Sequence, residues 1–158
     1  MKFEFTSDEA SSYLKHKSKL VGGEFDLPTR STECSAGYDF HSPYGFKIKK
    51  HQTIKIPLNV RLVDMPKNSV LLITNRSSLS LKFGITIDNA IGVIDSDFNK
   101  TIWLQITNNG KKTYQVNIND KICQGIIMNY ITTDDDIAKG TRNGGIGSTG
   151  KWMMIYMK

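Results

Sequence analysis

Asp95 and Asp97 stand two residues apart at the end of the run Gly92-Val93-Ile94-Asp95-Ser96-Asp97-Phe98. On extended backbone, residues two apart point to the same side. Two acidic groups that converge on one spot can act as a general base or as metal ligands. Asp and Ser also favour turns, so the same run reads as a polar turn between strands, closed by the ring of Phe98.

Four other pieces carry chemistry. Arg76-Ser77-Ser78 offers a guanidinium that can pair with carboxylate or phosphate through two parallel bonds. Its serines suit either capping or a phosphate seat at a helix N-terminus. Asp120-Lys121-Ile122-Cys123-Gln124 is a charged turn entering a strand, where Gln124 is a phosphate contact or a structural amide. Ala36-Gly37-Tyr38-Asp39-Phe40 is a small-residue turn that Asp39 stabilises. Gly145-Ile146-Gly147-Ser148-Thr149-Gly150 has the spacing of a dinucleotide fingerprint. That motif needs a strand before it and a helix after it, and only eight residues follow Gly150. Residues 145–151 also fit most of a P-loop, but Trp152 stands where Ser or Thr must meet magnesium. The shared physics remains: glycine N–H groups and two hydroxyls can wrap phosphates, or the stretch is a flexible linker.

These pieces need elements to hold them. The 158 residues suit one domain, with 39% hydrophobic and 23% charged residues. Ile54, Ile56, Leu58, Val60 and Leu62 alternate, as do Ile85 and Ile87, then Ile102, Leu104 and Ile106, then Tyr114, Val116 and Ile118. Residues 70–73 form a continuous apolar run of buried-strand type. Asn108-Asn109-Gly110 reads as a hairpin turn. Many short strands imply an all-β sandwich, jelly roll or barrel. Thr6-x-x-Glu9 resembles a capping box, which predicts a helix over residues 7–17 with Tyr13 and Leu14 on its buried side. A second short helix is expected over 77–83, closed by Gly84. After Ile131 the chain becomes polar, acidic and Gly-rich. Residues 1–133 are therefore read as a β domain with a short N-terminal helix, and 134–158 as a mobile arm. The apolar end, residues 152–157, suggests docking on some surface.

The net charge is +6, which favours anionic partners in general. The densest basic stretch, residues 47–55, alternates with Ile48 and Ile54 and lacks interleaved aromatics, so it reads as a solvated strand face rather than a nucleic-acid groove. Apolar runs are too short to span a membrane, and residues 1–5 lack the apolar core of a signal peptide. Cys34 and Cys123 make neither a disulfide framework nor a zinc site, which suggests a reducing interior: cytoplasm, or the host cell for a viral source.

Taken in order, these five pieces, the last running from Arg142 to Gly150, resemble the five motifs of the trimeric dUTP pyrophosphatases. The resemblance covers roughly residues 27–150. It implies a jelly-roll or β-clip subunit, and a homotrimer whose active sites lie where chains meet, with the arm closing over a neighbour's site. It also implies Mg2+-dependent hydrolysis of dUTP to dUMP and pyrophosphate, keeping uracil out of DNA and supplying dUMP for dTMP synthesis; no nucleic acid is required. On this resemblance Asp95 activates the attacking water, and Arg76 and Ser77, with Ser78, organise the phosphates. Asn89 and the backbone near Gly92 read uracil from a hairpin floor. Phe98 packs under the deoxyribose and excludes a ribose hydroxyl. Gln124 contacts phosphate, Arg142, Ser148 and Thr149 grip the outer phosphates, and Gly147 contacts the substrate. Asp39 stands near the metal's water shell, with Mg2+ held indirectly through the substrate phosphates.

The chain departs from the family in several places. Phe98 replaces the usual Tyr, and Asn99-Lys100 replaces a basic or polar residue followed by Gly. Ile146 stands near the position of a Phe that covers uracil. Ile covers a base without stacking on it, which weakens closure unless another ring such as Trp152 serves. The nearest rival, dCTP deaminase, needs a glutamate where Gln105 stands, and an amide cannot shuttle the proton. The remaining rival is a non-catalytic trimer that senses nucleotide or binds a protein; the retained Asp95 argues for catalysis.

Overall fold

The computed structural model describes residues 1–6, 21–22, 24–142 and 144. The expected N-terminal helix, residues 145–150 and the apolar end 152–157 lie outside the described residues.

The strands run β1 (Lys2–Phe5), β2 (Val21–Gly22), β3 (Thr29–Arg30), β4 (Gly37–His41), β5 (Tyr44–Ile48), β6 (Thr53–Pro57), β7 (Val60–Val63), β8 (Ser69–Thr74), β9 (Ile85–Ile87), β10 (Ile91–Asp95), β11 (Trp103–Asn108), β12 (Tyr114–Val116) and β13 (Lys121–Asn129). They form a five-stranded sheet β10-β8-β13-β4-β3, three-stranded sheets β6-β11-β9 and β12-β5-β2, and the pair β1-β7. Every pairing is antiparallel. The fold is all-β and jelly-roll-like, as the alternation in the sequence requires. Phe40, Ile48, Leu58 and Leu71 are fully buried between the sheets, with Ile73, Ile102, Ile106 and Val116 all but buried beside them. Alternation supplies one apolar face per strand, and these faces meet in a common core.

Three local features differ from the sequence expectation. The alternating run 54–62 is two strands, broken where Asn59 takes the left-handed conformation (φ 52°). Asn108-Asn109-Gly110 is not a hairpin, because β11 pairs with β6 and β9 while β12 pairs with β5. The buried Asn108 side chain makes it a corner: Nδ2 donates to the carbonyls of Ile48 and Lys112, and Oδ1 accepts from Gly110 N–H. A Cβ at Gly110 would lie 2.2 Å from the Phe83 carbonyl oxygen, so glycine is needed there for close approach. Strand β1 was not foreseen, although Phe3 and Phe5 alternate along it. Phe3 packs edge-on against Tyr38 and Phe40, and Phe5 against Phe25.

The helix expected over 77–83 is present and ends in a π-helical turn, Leu79–Phe83, closed by Gly84 at φ 68°. It follows β8 directly and fixes where Arg76 and the serines stand.

The outer face of the five-stranded sheet carries the site residues. Paired antiparallel residues share a face. One row across the sheet is therefore Ile91, Thr74, Gln124 and Asp39; the next is Val93, Leu72 and Ile126; the third is Asp95, Val70 and Met128. Ile91, Val93 and Met128 are 52%, 60% and 48% exposed, so the middle of this face is an uncovered apolar surface.

Candidate active site

At one end of that face lies an open cleft of about 390 Å3 lined by Asp39, Arg76, Ser77, Ser78 and Gln124, among others. Five of the residues singled out in the sequence thus converge. Asp39 is buried on β4, and its two oxygens are both engaged. Arg76 Nε donates to Oδ1 at 2.9 Å; Lys121 Nζ and Ser31 Oγ donate to Oδ2 at 2.8 and 2.9 Å. Burial pushes the Asp39 carboxyl up. The hydrogen bonds from Lys121 and Ser31, with the charges of Arg76 and Lys121, outweigh that and hold it below the usual carboxylate range.

Arg76 Nη1 also donates to the Lys121 carbonyl at 3.2 Å, so the guanidinium is oriented from two sides and Nη2 is used by neither contact. Ser78 sits at the helix N-cap with helical dihedrals and makes no capping hydrogen bond; Ser77 is exposed beside it. The capping role is therefore not what Ser78 does here. Gln124 Nε2 donates to the Asn75 carbonyl at 2.9 Å, which leaves its second N–H for a ligand. Its Oε1 lies over Gly37, where a Cβ would come within 2.9 Å. Lys121 and Ser31 were missed as site residues. The charged turn at 120–121 was visible in the sequence, but only the fold brings its lysine to Asp39.

The carboxylate edge is built differently. β10 ends the sheet, and the Asp95 and Asp97 side chains are 51% and 54% exposed. Both meet Arg142: Nε donates to Asp97 Oδ1 at 2.8 Å, and Nη2 donates to Asp95 Oδ2. The Arg142 guanidinium also lies over the Phe98 ring, 5.8 Å from its centroid, and Phe98 is buried. In the single chain the Phe98 ring is thus covered, with the Arg142 guanidinium over it. The arm's arginine meets the acids of its own chain, and Asp97 is its partner rather than only a turn residue. The hydrogen bond to Asp97, despite some desolvation, and the charges of both acids raise the Arg142 pKa.

Asn89 and Gly92 come together as expected: a Cβ at Gly92 would lie 3.7 Å from Asn89 Nδ2. They do not sit on a paired hairpin. β9 belongs to the sheet with β11 and β10 to the sheet with β8, so residues 88–90 are a corner between sheets. Two local backbone bonds, Ala90 N–H to the Ile87 carbonyl and Ile91 N–H to the Asn89 carbonyl, turn the chain there.

The two groups do not meet within one chain. Asp95 and Gln124 are two strands and four residues apart on the sheet face, about 16 Å at ordinary strand spacing and rise. A general base must reach its water within hydrogen-bond distance. Among the described residues no three His, Cys, Asp or Glu side chains form a metal-holding group. Ile146, Gly147, Ser148 and Thr149 lie outside the described residues.

The chain is similar to known proteins over most of its length. A deoxyuridine 5'-triphosphate nucleotidohydrolase of Haemophilus influenzae (strain PittEE) is 30% identical over 145 residues, covering 87% of this chain and 96% of that protein. The crystal structure of the dUTPase of Streptococcus mutans superimposes with a TM-score of 0.68 at 26% identity, covering 85% of this chain and 99% of that one. A dUTPase from Staphylococcus aureus phage phi11, described with a structural Mg(II) ion, shares the fold at 21% identity (TM-score 0.67; 88% of this chain, 96% of that one). The dUTPase family model matches residues 23–150, and the chain belongs to the dUTPase family.

Proposed function

We propose that the protein is a dUTP diphosphatase that hydrolyses dUTP to dUMP and pyrophosphate in sites shared between the chains of a homotrimer. The observation that carries this reading is the separation just described. An exposed carboxylate and the cleft that holds Arg76 sit at opposite ends of one uncovered apolar sheet face, so a second copy laid on that face can bring one chain's Asp95 to another's Arg76.

The cleft suits phosphate. Arg76 and Lys121 outnumber the single carboxylate Asp39, whose oxygens are both committed. That set fits a polyphosphate and an Mg2+ ion carried on it, not a metal held by protein ligands. When bound on the phosphates, Mg2+ supplies charge that offsets the charge developing at the α-phosphoryl oxygens. The protein's part is positional. Arg76 Nη2, the Ser77 and Ser78 hydroxyls and the remaining Gln124 N–H hold the phosphates. Asp95 takes a proton from water as its oxygen bonds to the α-phosphorus, and pyrophosphate leaves with the bridging oxygen. Asn89 beside Gly92 reads the base, and the Phe98 ring, uncovered as Arg142 leaves it, packs on the sugar. Arg142 exchanges Asp95 and Asp97 for the outer phosphates, joined by Gly147, Ser148 and Thr149, while Ile146 covers the uracil.

Gln105 also bears on the rival chemistry. Its amide donates to Asp88, and it has no proton to shuttle in a deamination. The test is incubation with dUTP, dCTP, dTTP and UTP in the presence of Mg2+, following pyrophosphate and ammonia. Pyrophosphate from dUTP alone supports the reading; ammonia from dCTP overturns it.

A further inference from the structure

The acid next to Asn89 has no role in the chemistry above, and its surroundings are well defined. Asp88 Oδ2 accepts a hydrogen bond from Gln105 Nε2 at 2.8 Å, and Oδ1 accepts one from Thr107 Oγ1 at 2.6 Å. Both partners stand on β11, and the Asp88 N–H donates to the Gln105 carbonyl. Thr107 spends its only hydroxyl hydrogen on Asp88, so Thr53, whose Oγ1 lies 2.6 Å from that of Thr107, donates in turn. Both oxygens of an exposed carboxylate are thereby held by side chains of one neighbouring strand. A residue placed only for solubility does not need that.

We propose that Asp88 is a positioning residue for base recognition: the clasp of Gln105 and Thr107 fixes the corner that presents Asn89. This rests on the reading of Asn89 as the base-contacting amide. Beyond the two local backbone bonds at Ala90 and Ile91, the corner has little else to define it. β9 and β10 do not pair with each other, so no hairpin ladder sets their relation. Ala90 is held at φ 57°, a region that residues with a Cβ disfavour. On the other side of the corner, Ile87 N–H donates to Asn75 Oδ1 at 2.7 Å. Asp88 and Asn75 thus pin the strand before Asn89 from two directions. Charge-assisted bonds to a carboxylate are short and directional, and Thr107 is stiff at χ1. Release of the clasp lets the corner relax and turns the Asn89 amide away from the base edge, while Asp95, on a different strand pairing, stays where it is. The consequence is selective: base binding and base preference suffer, and the chemical step does not.

The test is steady-state hydrolysis of dUTP and dCTP by the full-length protein and its Asp88→Ala, Asp88→Asn, Thr107→Val and Asn89→Ala variants, with Tm measured for each. Asp88→Ala is expected to raise KM for dUTP about tenfold with kcat within about twofold, and to lower the preference for dUTP over dCTP by a similar factor. Thr107→Val, which keeps the branched shape, should move both in the same direction by less. Asp88→Asn, still able to accept from one partner, should recover most of the loss. Unchanged KM and preference in Asp88→Ala overturn the proposal, as does a fall in kcat shared equally by both nucleotides. Should Asn89→Ala keep full preference for dUTP, the reading of Asn89 fails, and that failure is visible whatever Asp88→Ala does.

Discussion

In the cleft, Asp39 is buried, both its oxygens are bonded, and Arg76 is held from two sides. At the other end of the same sheet face, Asp95 and Asp97 are half exposed and share one partner, Arg142, which belongs to the polar segment after the last strand. The first region is finished within a single chain. Its carboxylate is buried and its charges are mutually oriented, which suits the proposed role of holding a polyphosphate without reorganising. The second is unfinished: an edge strand, a corner and an arginine lent by the arm. Stiffness is concentrated at the proposed phosphate grip, and the carboxylate proposed as the base is left accessible.

Substitutions sharpen this contrast. The largest effect is expected for Asp95→Asn, which removes the base while leaving shape intact: kcat should fall about 10^2–10^4-fold with little change in KM or Tm, read by steady-state kinetics and thermal melting. Arg76→Ala comes next. Loss of a preorganised donor should lower kcat about 10^2–10^3-fold, and it should also lower Tm, because Asp39 loses a partner. A variant of Arg76 that lost activity with unchanged Tm would break the distinction between a rigid cleft and an open edge.

Asp39→Ala should cost about 1–3 kcal/mol of stability by leaving hydrogen-bonded cations unpaired, measured by denaturant unfolding. The pH dependence follows from the lowered pKa of Asp39. The charged form is favoured by folding, so its contribution is fully present above the unfolded carboxylate value, about pH 4. It is lost as pH falls through the lower folded value. Wild type should therefore lose stability on acidification below about pH 4 more steeply than Asp39→Ala. The smallest effect is expected for Asp97→Asn. Its exposed pair with Arg142 is worth about 0.2–1 kcal/mol, so KM should shift by only a few fold, and less at high salt.

Much of the cleft was legible because it is local. Arg76, Ser77 and Ser78 are consecutive, the helix they open was visible from its spacing and Gly84, and Gln124 follows a recognisable charged turn; Asp39, expected in a small-residue turn, lies instead on β4, where pairing with β13 and β3 extends the chain. The alternation that gave β6, β7, β9 and β11 fixed the fold class. What the sequence concealed is long-range. Asn108-Asn109-Gly110 has hairpin chemistry but makes a corner, because a buried side chain ties it to Ile48 and Lys112. Lys121 reaches Asp39 only through the pairing of β13 with β4. The interval of about 16 Å between Asp95 and Gln124 depends on strand order, which no local pattern reveals. β1 is short, and its two alternating phenylalanines gave too little periodicity to register.

The central claim is that the base and the phosphate grip of one working site come from different chains. Asp95→Asn and Arg76→Ala proteins, each inactive alone, can be unfolded together at equal amounts, refolded and assayed for pyrophosphate release from dUTP. A shared site predicts recovery of about one quarter of wild-type activity, the statistical fraction of sites that draw Asp95 from one variant and Arg76 from the other. No recovery, with mixed assemblies demonstrated by size and differential tagging, would contradict it.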